Sequence, residues 1–207
     1  MRITRNRLLV AIGVSFLLVL IPWVAIFKNS GTSFNATALA QSETRMWKAY
    51  YDRDLLRLRG ELRRMLREQF GLSRYRTWQV SARLATASLS FARSGDGQAA
   101  EVLRDLTEAY RGIQAATGLD FDPAEAARAE LGWWAARRTP GENQPEQVGA
   151  RIEALYAILY GHTNALIAQA ALLRAEAAHV RDTRSDWPEV ERLLEQSYRS
   201  LLAGMLP

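Results

Sequence analysis

From Glu43 onward, apolar residues recur at spacings of four and three, the period of one helical face and not the alternation of a strand. The stripes run Tyr51, Leu55, Leu58, Leu62, Met65; then Trp78, Ala82, Ala85, Leu89, Ala92; then Leu103, Leu106, Tyr110, Ile113; then Ala124, Ala127, Leu131, Trp134. They continue with Val148, Ile152, Leu155, Leu159; then Leu166, Ala170, Leu173, Ala177, Val180; and last Val190, Leu194, Ser197, Leu201. Short breakers separate them: "FGLS" at 70–73, "SGDG" at 94–97, "GLDFDP" at 118–123, "TPGENQP" at 139–145, "GHT" at 161–163 and "RSDWP" at 184–188. Connections this short make consecutive helices antiparallel neighbours. The pattern predicts an all-α domain, an antiparallel bundle of about seven helices, with an irregular α-solenoid as the other arrangement. Unequal lengths and the lack of a fixed period argue against tetratricopeptide-like repeats.

Two helix starts are marked. Asp122 and Asp186 each stand three residues before a glutamate, Glu125 and Glu189, with proline in the first turn. That combination satisfies the free N–H groups of a helix start. The sixth helix, "NALIAQAALL" at 164–173, is apolar nearly all round and is expected to be the central, most enclosed element.

The N-terminal segment differs. Residues 8–27, "LLVAIGVSFLLVLIPWVAIF", carry no charge over twenty positions. As a helix they reach about 30 Å, the thickness of bilayer hydrocarbon. Residues 1–28 therefore read as a cytoplasmic tip and single transmembrane helix, or an uncleaved signal segment; 29–42 read as a flexible linker and 43–207 as an extracytoplasmic, periplasmic α-helical domain. A cleaved signal peptide ending after Ala40 is the rival, but its apolar core would be about 7–15 residues. Membrane lipid is the expected partner of residues 8–27.

Composition changes this picture little. Alanine, leucine, arginine and glutamate favour helix. Cysteine is absent, which excludes disulfides, thiolate metal sites and a cysteine nucleophile. The net charge of +5 is uneven: residues 45–76 hold ten basic and four acidic side chains.

Candidate chemistry is sparse. Glu176 and His179, three apart, form one Glu-x-x-His step, but a carboxylate-bridged dimetal site needs two. The only other histidine, His162, lies in the helix-breaking "YGHTN". His179 reads instead as a residue near a helix C-terminus, bonding the last carbonyls. No Gly-x-Ser-x-Gly elbow or P-loop lysine is present; the glycines of "SGDG" could hold an anion at a helix start but read more simply as a turn. No catalytic residue, metal or cofactor is expected, with Glu176 and His179 the runner-up metal ligands.

Two surfaces stand out. Arg53, Arg57, Arg64 and Arg67 form a basic face opposite the Tyr51 stripe, suited to anionic lipid or an acidic protein. In "ELGWWAARR", Trp134 falls on the buried stripe and Trp133 on the polar face with Arg137. Trp133 is there either covered by Arg137 or a neighbouring helix, or a partner-binding anchor. The expected function is a membrane-anchored interaction module: an accessory, assembly or scaffold subunit with a protein partner in a membrane complex, no nucleic acid and no enzymatic activity. The alternative is an enzyme or a metal- or small-ligand-binding bundle with a site near Glu176 and His179. A third reading is a small-ligand carrier with a pocket lined by Trp134, Tyr156 and Tyr160.

Overall fold

A computed structural model describes residues 33–94 and 99–205. Among these residues the chain forms eight helices and no strand: α1 Ala36–Tyr51, α2 Leu55–Phe70, α3 Arg74–Ser94, α4 Ala99–Thr117, α5 Pro123–Ala136, α6 Pro145–Tyr160, α7 Ala165–Arg184 and α8 Trp187–Gly204. The expected caps at Asp122 and Asp186 accept the N–H groups of Ala124 and Glu125, and of Glu189. Asn35, Asp54 and Asn164 cap α1, α2 and α7 in the same way. Gly71 and Gly161 end α2 and α6 in the left-handed conformation that glycine adopts without steric cost.

Each helix packs against the one before and after it, and α8 returns to α1, so the described helices close into a ring. Cross-helix bonds show antiparallel pairing. Asn35 meets Glu68 while Arg45 meets Glu61 on α1–α2; on α1–α8, Phe34 packs on Tyr198 and Thr37 bonds Glu195, while Lys48 lies over Trp187. An even number of alternating helices lets the last pair close antiparallel like the others. The ring is an all-α bundle, and it has no central helix.

The structure revises several expectations. Residues 36–42, read as linker, belong to α1, where Leu39 and Ala40 are fully buried; the Asn35 cap starts the helix there, and a cut after Ala40 would sever it. Tyr51 and Leu55, placed on one stripe, belong to different helices. The break at Asp52–Asp54 includes Arg53 at positive φ, and the Asp54 cap restarts the chain. On α3 the inward face runs through Thr77, Val80, Ser81, Ala87 and Phe91, leaving Trp78 54% exposed. Thr77, Ser81 and Ser88 donate to carbonyls three residues back, so their hydroxyls are tolerated inside.

Helix α7 is also a wall of the ring and not its centre, with Leu166 exposed. Gly149 of α6 approaches it closely: a Cβ added there would stand 3.1 Å from the Leu172 backbone. No helix among the described residues is long and apolar enough to cross a membrane. The cytoplasmic tip and transmembrane helix expected over 1–28, with the apolar stretch 8–27, lie outside the described residues, as do 95–97 of "SGDG".

Candidate functional site: the interior of the ring

The inward faces of the helices do not fill the ring. A cavity of about 170 Å³ remains, lined by side chains of α1 through α7. Its apolar wall includes Leu62, Leu66, Leu84, Ile113, Leu155 and Leu159; Trp47, Phe91, Trp133 and Trp134 add aromatic surface; Glu130, Arg137, Arg174 and Arg181 line it with charge. An engineered apolar cavity of roughly 150 Å³ accepts benzene, whereas drug-sized ligands need about 300 Å³ or more. This interior therefore fits a single ring or a branched chain of similar bulk.

One side of the interior is locked by ion pairs. Glu43 of α1, wholly buried, accepts from Arg174 of α7 at 3.1 and 2.7 Å and from the Tyr198 hydroxyl of α8 at 2.5 Å. Tyr156 of α6 stands 3.4 Å from the same guanidinium. Burial, the largest single influence, opposes the Arg174 charge, but Glu43 together with Tyr156, Tyr198 and Glu130 outweighs it and holds the group well above its ordinary pKa. Burial, reinforced by Glu43, pushes the Tyr198 hydroxyl well up. Nearby, both oxygens of Glu130 are occupied, by the Trp134 indole N–H and the Tyr110 hydroxyl, each at 2.9 Å. Burial and the Glu130 charge raise Tyr110 well above its usual value.

A third cluster centres on Arg181 of α7, which lies 4.0 Å over the Trp47 ring and bonds Asp182 at 2.9 and 3.1 Å. The Tyr51 hydroxyl donates to Asp182 at 2.6 Å, and burial pushes that tyrosine up to about 12. Beside this cluster, at the C-terminal end of α5, satisfaction fails. Trp133 is 4% exposed and its buried Nε1 has no acceptor among the described residues. The buried Nε of Arg137 likewise lacks a hydrogen bond, standing 3.6 Å from an Asp182 oxygen that Arg181 already holds. Each such buried donor costs about 1–3 kcal/mol.

Trp133 and Arg137, considered as a partner-binding pair, thus face the interior and not an outer surface. The covered alternative is what forms: the guanidiniums of Arg137 and Arg174 lie 5.9 and 5.5 Å from the Trp133 ring. Trp134, assigned to the buried stripe, is half-buried and still lines the cavity, as does Tyr156. Tyr160 backs them, its hydroxyl accepting from Gln69. Arg57, Arg64 and Arg67 are exposed on α2, while Arg53 sits in the preceding turn and is not on the helical face. Arg64 and Arg67 join Arg45 around a separate shallow depression, and Arg64 pairs with Glu61 at 3.0 Å.

Glu176 and His179 sit half-buried on α7, and neither lines the cavity. Among the described residues no three His, Asp or Glu side chains converge to hold a metal. Sequence reasoning missed Glu43, Glu130, Arg174 and Arg181. A trace of the last two was present: two arginines seven apart, on one face, interrupting an alanine-rich stretch.

Fold and site together define a class, a closed ring of antiparallel helices around a small amphipathic cavity. The chain matches no known protein family, no characterised protein and no solved structure.

Proposed function

We propose that this chain is a membrane-tethered binding domain that holds a small, largely apolar ligand inside its helical ring. The carrying observation is the cavity itself. Protein interiors are ordinarily packed as densely as organic crystals, yet side chains from seven helices here surround about 170 Å³ of open space. Acid/base or nucleophilic roles have less support, because Glu43 and Glu130 are occupied by structural partners. The tether is residues 8–27, whose twenty uncharged positions suit a bilayer, with the ring on the periplasmic side.

The test is thermal unfolding of the full chain in detergent with single-ring and branched-chain compounds, since a ligand that binds only the folded state raises Tm. A saturable rise of several degrees is expected, and it should vanish in Leu84→Trp, which fills the space. Absence of any rise across the panel would overturn the reading.

A second reading, an accessory subunit of a membrane complex, is favoured by the exposed arginines of α2 next to Leu56, which is 82% exposed. Arg57→Glu/Arg67→Glu should lose a co-purifying partner or anionic-lipid binding if that surface acts, and retain both if it is merely solvated.

A further inference from the structure

The unpartnered donors at the end of α5 specify the ligand's chemistry more closely than the volume does. We propose that the cavity takes a small monocarboxylic acid with a compact apolar body, its carboxylate accepting from Trp133 Nε1 and Arg137 Nε. This inference rests on the cavity-binding reading above and narrows it to one class of ligand.

Trp133 and Arg137 stand four residues apart, one turn along the same helical face, with the guanidinium 5.9 Å from the indole ring. Both residues line the cavity and both nitrogens are buried without an acceptor among the described residues. The other charges beside them are engaged. Arg174 is held by Glu43, and Arg181 takes both oxygens of Asp182. Glu130, the one carboxylate lining the cavity, is filled by Tyr110 and Trp134. Asp182 must therefore serve two guanidiniums, and Arg137 has the weaker share at 3.6 Å.

What is left over is donor capacity with partial positive charge, and its complement is an acceptor carrying negative charge. A planar guanidinium edge matches a carboxylate better than a spherical anion. A phosphate monoester would bring a second charge, and the other lining guanidiniums, Arg174 and Arg181, are already held by Glu43 and Asp182. Leu62, Leu84, Ile113 and Leu159 offer the acid's body apolar contact.

Binding of benzoate and of its neutral counterpart toluene to the full-length protein in detergent, followed by tryptophan fluorescence and calorimetry, tests this. Benzoate should bind at least about tenfold more tightly than toluene, the worth of one charge-assisted hydrogen bond. Trp133→Phe keeps an aromatic ring but removes the N–H; it should weaken benzoate about tenfold and leave toluene unchanged. Arg137→Met should weaken benzoate further, again sparing toluene. If toluene binds as tightly as benzoate and Trp133→Phe affects neither, the carboxylate assignment is wrong while the cavity reading stands. If neither compound binds and Trp133→Phe retains the wild-type Tm, the cavity reading falls with it, and the two donors serve only the packing of the interior.

Discussion

The two sides of the ring's interior handle buried charge in opposite ways. At the α1–α7–α8 wall, Glu43, Arg174 and Tyr198 satisfy one another within 2.5–3.1 Å. At the end of α5, the Trp133 and Arg137 N–H groups are equally enclosed but make no hydrogen bond among the described residues, Arg137 standing 3.6 Å from Asp182. A closed network pins three helices in register; an open one carries a desolvation penalty that a ligand can relieve. The first arrangement belongs to the fold; the second is the one we propose a ligand completes. The contrast is recoverable only by counting donors against acceptors, since both places are rich in arginine and aromatic rings.

The contrast can be broken most forcefully at Glu43. Glu43→Ala strands the Arg174 charge inside the ring and should destabilise by about 3–5 kcal/mol in denaturant unfolding. A loss below about 1 kcal/mol would mean that the wall is not a lock. High pH attacks this wall and the neighbouring Glu130 cluster. Tyr110, Tyr156 and Tyr198 are buried, and each hydroxyl is raised above 10.0, chiefly by burial. An unfolded chain loses these protons from about pH 10 while the folded chain keeps them. Stability is therefore full below that pH and falls as pH rises, by up to about 1.4 kcal/mol per pH unit for each tyrosine. Tyrosinate absorbance from this group should appear together with loss of helical circular dichroism, and titration well before unfolding would contradict it.

A smaller effect sharpens the geometry of the ring. Gly149→Ala drives a methyl to within 3.1 Å of the Leu172 backbone and should cost about 1–3 kcal/mol by forcing α6 away from α7; an unchanged Tm would show that the helices can part freely. The smallest effect has the opposite sign. Trp133→Phe removes a buried donor without an acceptor, so stability without ligand should be unchanged or increased by up to about 1 kcal/mol. If this substitution destabilises by several kcal/mol, the indole N–H has a structural partner and the two sides of the interior are alike.

Local chemistry was legible in the sequence because it acts over a few residues. The 4, 3 spacing made the chain helical, the Asp122 and Asp186 caps placed two starts, and the stripes of α6 and α8, Val148 to Leu159 and Val190 to Leu201, are buried as drawn. The weaker cap Asp54 was hidden because Tyr51 and Leu55 kept helical spacing across it, so eight helices read as seven. Where a stripe was ambiguous, as with Trp78 on α3 or Trp133 beside Trp134 on α5, the neighbours decided which face turned inward. Closure of the ring had no local signature, since it depends on α8 meeting α1 some 150 residues away. The site followed from that closure. Glu43 meets Arg174 across 131 residues, and Trp133 of α5 meets the same arginine on α7. Periodicity fixes which side of a helix is greasy, but only tertiary packing can place side chains from different helices around one space and leave two buried N–H groups there without a hydrogen bond among the described residues.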